Sequence, residues 1–387
     1  MISYIIRKIL SSLLTLFLLT ILVFILVHVI MPGDYVSQFL GMSIEDKTHL
    51  RNALGLDLPL WRQYLRWVTG VLNGRLGMSF SGFSVLDAIL SRLPYTMLVF
   101  VSGGWIAFLA GQWLGKTTGW RSRPIVSEGA ALAVIALYSF FPPALGFLLR
   151  YTLGNRLGWF PISPTIDFYQ FERDFPGISQ SYVMDCMMFS LASALLFVLF
   201  FYLVLHKWAK IRLSGLVSML LIAAIWVAGW FIAGVGLPAI RMIYHAAIPL
   251  FAFILLSMGE MTIITRTSLA ETKREEYILT ARAKGLTDAQ IRDRHAIRNA
   301  YLPVISKAIV SLPYLIAGLA IIEYSLIWPG LGSGVFSAVL VQDVPLALGY
   351  LLFIGVFSLG ARLLLELAYL ALDPRLRYVV QKVGVNL

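Results

Sequence analysis

Residues 275–303 read EEYILTARAKGLTDAQIRDRHAIRNAYLP, the most charged window of a very apolar chain. The stretch carries the punctuation of two helices joined by a tight bend. Ser268 followed by Glu271 has capping-box spacing, which predicts a helix start there. Gly285 predicts its end, because glycine takes the left-handed position after a helix without a Cβ clash. Thr287 and Gln290 form a second capping-box pair two residues on. The second helix is expected to run to about Asn299, with Pro303 opening the next segment. Thr280, Ala281 and Ala283 are small, so another surface can approach the first helix closely. On caps alone two readings stand: a docking element for a soluble partner, or a solvated loop with well-formed ends.

Working outward, the stretch is flanked by long apolar runs. The chain of 387 residues is 59% hydrophobic and only 13% charged, with a mean hydropathy of +0.82. That balance specifies an all-α polytopic membrane protein. The net charge of +11 does not indicate nucleic acid, because the basic residues gather in short loops beside apolar runs, as orientation by positive charge requires. Eight spans are expected, at 9–31, 95–114, 127–149, 187–205, 213–235, 246–264, 304–327 and within 346–372. This pattern places both termini, the basic turns and the charged 266–303 segment in the cytoplasm. The first run exceeds a signal-peptide core and no small-residue cleavage pattern follows, so it is read as a retained span.

The expected division is residues 1–31 as the first span and 32–92 as an extracytoplasmic segment. Residues 93–150 hold spans two and three, 151–186 form a second outer loop, and 187–236 form a two-span hairpin. Residues 246–372 follow as a core, with 373–387 as a cytoplasmic tail. In the outer segment, Trp61, Tyr64, Leu65, Val68, Val71 and Leu72 share a helical face opposite Arg62, Gln63, Arg66 and Asn73. Such a helix lies on the membrane or covers the spans, and a second use is docking an external partner.

No chemistry of catalysis is legible. Ala110, with Gly115-Lys116-Thr117 after it, resembles a relaxed phosphate loop, but it falls at the inner end of a span rather than between strand and helix. The lone Cys186 and five scattered histidines give no disulfide and no metal-ligand spacing. No catalytic residue, metal or cofactor is therefore expected. Within the spans, Arg362 and Glu366 stand at helical i,i+4 spacing and read as a structural pair. Glu260 is placed to anchor the charged segment. Glu323, five residues before Trp328, fits either a cavity lining or a cap for the WPGLG bend. No chain of acids or histidines crosses mid-depth, which speaks against an ion-coupled carrier or a membrane enzyme.

TARAKGL, RHAIRNAYLP, IWPGLG and the terminal DPRLR, together with MPGD, LGLDLPLWRQYLRW, LGMSF and RLPYT, resemble the permease subunits of ATP-binding-cassette (ABC) importers. The similarity is to the first permease of the oligopeptide and dipeptide branch. It implies a type I importer core and a coupling loop at 266–303 that sits on a cytoplasmic ATPase, with Thr280, Ala281, Arg282, Ala283, Lys284, Gly285 and Leu286 at the contact. Only Ala281 and Gly285 match the family-wide Glu-Ala-Ala…Gly form. Glu323, Pro329, Gly330, Leu331 and Gly332 match the branch's outer-bend motif. The implied partners are a second permease, two ATPase subunits, an extracytoplasmic substrate-binding protein and the lipid bilayer, with no nucleic acid. The implied cargo is peptide, with nickel complexes and oligosaccharides also handled by the branch. Six spans are usual there, so 187–236 reads as an inserted, peripheral hairpin.

Overall fold

The computed structural model of the chain describes residues 2–30, 34–120, 124–208 and 215–372. Met31, Pro32 and Gly33 of the MPGD motif, the basic residues Arg121, Arg123, Lys210 and Arg212, and the 373–387 tail lie outside the described residues. The same holds for the side chains of Arg298, Leu302 and Glu366, so the expected Arg362–Glu366 pair does too.

The chain is built from helices. They are α1 (Ile2–Ile30), α2 (Ile44–Leu54), α3 (Leu60–Leu72), α4 (Val85–Met97), α5 (Gly104–Trp120), α6 (Pro124–Tyr138), α7 (Pro142–Leu149) and α8 (Phe168–Asp174). There follow α9 (Gln180–Trp208), α10 (Gly215–Ile232), α11 (Gly236–Thr272), α12 (Glu276–Ala283), α13 (Asp288–Gln290), α14 (Ile297–Ser325), α15 (Leu331–Leu340) and α16 (Val344–Leu372). Among the described residues no strand forms beyond one isolated bridge between Met78 and Ser84.

Among the described residues, six helical stretches are long and apolar enough to cross a bilayer: Ile9–Val27, Val85–Trp120, Gln180–Phe201, Gly236–Thr272, Asn299–Ser325 and Val344–Leu363. The other two expected crossings take different forms. Residues 127–149 are not one straight rod: Leu132–Tyr138 and Pro142–Arg156 meet at 104°. Pro142 and Pro143 occupy the first turn of α7, where a missing N–H costs no intrahelical bond, and Phe141 before them is extended, as a residue preceding proline prefers. The 213–235 run falls on α10, whose apolar stretch Leu220–Ile232 is shorter. The expected outer turn at 238–245 is helical instead. The turn lies earlier, at Gly234 with φ +73, and Pro238 enters the first turn of α11, where proline is harmless.

α11 is the central post, 37 residues long and packed by α5, α14, α6, α7 and α10. Its contact with α5 is set by Gly111, Gly115 and Gly119, four residues apart. A Cβ at Gly115 would stand 2.6 Å from Thr265 Cβ and 2.7 Å from the Thr262 carbonyl oxygen. In lipid, where apolar surface gains little by leaving solvent, such close backbone approach is a main source of helix association. The 110–117 match to a phosphate loop is thus a helix-packing stripe.

The 187–236 hairpin is less peripheral than expected. Met187 and Trp230 are buried in the main core, next to Val183 and Met184 just before the hairpin, and the Trp226 indole N–H donates to the Met187 carbonyl at 2.8 Å. Away from that end Phe189, Leu196, Phe197 and Phe200 are exposed, a lipid-facing surface. α3 covers α1: the Tyr64 hydroxyl meets Thr20 Oγ1 at 2.9 Å, and Trp61 and Leu65 face outward.

Candidate functional site: the arm between α11 and α14

The helix before the arm does not begin at Ser268. α11 runs on to Thr272, Ser268 is buried inside it, and its carbonyl accepts from Thr272 Oγ1 at 2.7 Å. A new helix, α12, starts after Glu275, which is extended and makes no side-chain cap; Glu276 in its first turn suits the positive end of the helix dipole. Gly285 ends α12 with φ +76, its N–H reaching the Arg282 carbonyl at 2.9 Å. The Thr287 box forms in both directions: Gln290 N–H donates to Thr287 Oγ1 at 3.3 Å, and Thr287 N–H to Gln290 Oε1 at 3.0 Å. Beyond it a wide π-helical turn, Ile291–Ala296, leads straight into α14. Pro303 lies within α14 rather than at a break, because neighbouring helices and local adjustment tolerate proline in a membrane helix.

The arm is not a loose loop. Trp120, Leu269, Ile278, Ala281, Ile291, Ala296 and Ala300 bury one another, with Tyr277 and Leu286 packed at the edge. Lys273 Nζ donates to the Trp120 carbonyl at 3.3 Å and stands 5.5 Å over its ring. Asn299 Nδ2 donates to Tyr277 Oη at 3.0 Å. Lys116, at the end of α5, reaches Asp293 Oδ1 at 2.7 Å, and Arg292 pairs with the same carboxylate at 2.9 Å. The Arg292 hydrogen bonds, helped by Lys116, hold the Asp293 carboxyl down to about 2. Its stabilising pairing is therefore complete above the ordinary carboxylate range and lost as pH falls through about 2. Asp293→Asn is expected to lower the melting midpoint by no more than about 1 kcal/mol's worth, since the pair is partly solvated. The deficit should be constant between pH 5 and 9 in a detergent melting series.

The seven predicted contact residues divide. Thr280, Arg282, Ala283, Lys284 and Gly285 are exposed, Leu286 is half-buried, and Ala281 is only 5% exposed. Ala281 therefore belongs to the arm's own core, where its small side chain lets α12 sit close. Leu279, outside the predicted set, is 62% exposed, off the Ile278–Ala281 face, and Arg282 and Lys284 are exposed as well.

α14 joins this arm to the WPGLG bend. There Glu323 is fully buried, and its carboxyl group accepts from Thr96 Oγ1 and from Gly332 N–H, each at 2.7 Å. Thr96 Oγ1 in turn accepts from Leu331 N–H at 2.7 Å. Pro329 follows Trp328, whose indole donates to the Tyr95 carbonyl at 3.2 Å. A Cβ at Gly330 would collide with the Glu323 carboxyl. Arg92 donates to Ser333 Oγ at 3.2 Å. Arg92 and Thr96 open and close the RLPYT motif, but their pairing with the bend was not legible, because their partners lie more than two hundred residues away. Glu260 accepts from Ser311 Oγ at 2.6 Å with Lys307 Nζ at 3.8 Å, so it ties α11 to α14 rather than holding the arm.

Two family models match: the binding-protein-dependent transport system inner membrane component over residues 103–378, and the N-terminal region of binding-protein-dependent transport system membrane components over residues 1–99. The dipeptide transport system permease protein DppB of Escherichia coli K12 is 29% identical over 382 residues, covering 98% of this chain and 99% of that protein. The oligopeptide transport system permease protein AppB of Bacillus subtilis 168 is 24% identical over 389 residues, covering 98% and 100%. The glutathione transport system permease protein GsiC of Shigella boydii is 26% identical over 383 residues, covering 98% and 100%. With most of its length matched and an all-helical membrane fold, the chain belongs to the binding-protein-dependent transport system inner membrane component family, as a multi-pass ABC-importer permease subunit.

Proposed function

We propose that this permease forms half of a peptide-import pathway and receives ATP-driven motion through the outward face of α12. The supporting observation is the arm's construction. Its inner side shares a core with α5 and α11, and it is continuous with α14, while Leu279, Thr280, Arg282, Ala283, Lys284 and Gly285 are left exposed. A push on that face is carried by packed side chains rather than absorbed by a loose loop. The reading places the arm and both termini in the cytoplasm, on the loop-charge pattern. The partners are a second permease, two ATPase subunits and an extracytoplasmic binding protein. Peptide cargo is inferred from what DppB and AppB are named for. The chain's family supplies a membrane component, not a catalytic subunit. Residues 187–236 are proposed as an addition to a six-helix core; two extra crossings leave downstream orientation unchanged.

The test is peptide uptake by the assembled importer in proteoliposomes, with ATPase co-purification as second readout. The double variant R282E/K284E alters only exposed side chains. It should lower both readouts by tenfold or more, on the order of two fully lost charge contacts, while membrane accumulation stays at the wild-type level. Wild-type uptake by R282E/K284E, and by a deletion of residues 281–285, would refute the coupling role.

A further inference from the structure

We propose that the crevice between α1, α3 and the start of α16 binds one phospholipid, its phosphate held by Arg66 and Arg75. The crevice encloses about 200 Å³, with apolar walls that include Phe24, Met78, Phe80 and Leu348. Arg66 and Arg75 line it, and neither pairs with a carboxyl group among the described residues. Arg66 and Arg75 are both exposed at the mouth of the crevice, Arg66 beside Gly55. The Arg66 Nη1 would be 2.7 Å from a Cβ at Gly55, so the guanidinium lies across a helix end that has no side chain. The Trp67 ring forms part of the wall, with its indole nitrogen buried behind it.

Depth selects a lipid over a soluble anion. Tyr64, one helical turn before Trp67, bonds Thr20 at 2.9 Å and packs on Phe24 with ring centroids 5.3 Å apart. Thr20 lies seven residues inside Val27, where the apolar window of α1 ends, or about 10 Å along a helix. α3 is therefore sunk beside α1 within one leaflet, not laid above the headgroups. Leu26, Leu65 and Leu72 around it are exposed, as surfaces facing acyl chains are. Two cations beside an apolar crevice match an amphiphile with a phosphate head. A free phosphate would leave the walls unfilled.

The assembled importer, stripped of lipid in detergent, is titrated with phosphatidylglycerol, and bound lipid is read by native mass spectrometry. Wild type should bind one lipid per permease. R66Q/R75Q should bind about 30-fold more weakly, each basic group near an anionic headgroup being worth about fivefold. Lipid binding equal to wild type in R66Q/R75Q would overturn the site. Saturation by inorganic phosphate alone, blocking lipid, would make it a free-anion site and also overturn the proposal. None of these outcomes depends on peptide uptake.

Discussion

Gly115→Leu should leave almost no folded permease in the membrane. The atoms a new Cβ would strike are a main-chain carbonyl and the Cβ of Thr265. Thr265 is fully buried and β-branched, so neither neighbour has a rotamer to retreat into. α5 must then move away from α11, and Gly111 and Gly119 on the same stripe lose their contacts with it. Overpacking of this kind costs about 3 kcal/mol or more, a large part of a net stability of about 5–15 kcal/mol. The check is abundance in the membrane fraction together with a detergent melt. A Gly115→Leu protein that accumulates and melts like wild type would contradict the close approach of the two helices.

The second large effect is expected at the bend. Glu323→Ala leaves the Thr96 hydroxyl and the Gly332 N–H buried without an acceptor. At about 1–3 kcal/mol for each orphaned group, the WPGLG bend should lose its fixed geometry and uptake should fall by more than tenfold. Glu323→Gln keeps one carbonyl oxygen for one of the two donors and should retain intermediate uptake. ATPase co-purification should stay unchanged in both, because the arm lies at the far end of α14, about 40 Å away along a 29-residue helix. Loss of ATPase association in Glu323→Ala, with normal protein abundance, would show that bend and arm are not separable.

Local chemistry was legible in the sequence where water-phase rules apply. Gly285 and the Thr287–Gln290 box sit on the exposed arm and form as capping rules require. The same rules failed at Ser268 and Pro303, which lie in continuous membrane helices. There an unsatisfied backbone is so costly that the helix continues past a cap signal or a proline. Hydropathy located the apolar runs but could not see the 104° break before Pro142, because a bend changes direction without changing composition. At the site, the charged character of the arm was legible, but the inward placement of Ala281 was not. It depends on Trp120, more than 150 residues earlier. Thr96 as the partner of Glu323 is a contact across 227 residues, which no local pattern encodes.

The central claim is that α12 is the surface on which a soluble ATPase acts, and cysteine cross-linking in the assembled importer tests it most directly. Cys186 is the chain's single cysteine, so Cys186→Ser gives a clean background for one cysteine at a time at Leu279, Ala283, Lys284 or Ala281. The account predicts cross-links to the ATPase subunit from the three exposed positions, with yields that change when ATP is bound, and none from the buried Ala281. An importer that takes up peptide normally while none of the three exposed positions can be linked to an ATPase would contradict it.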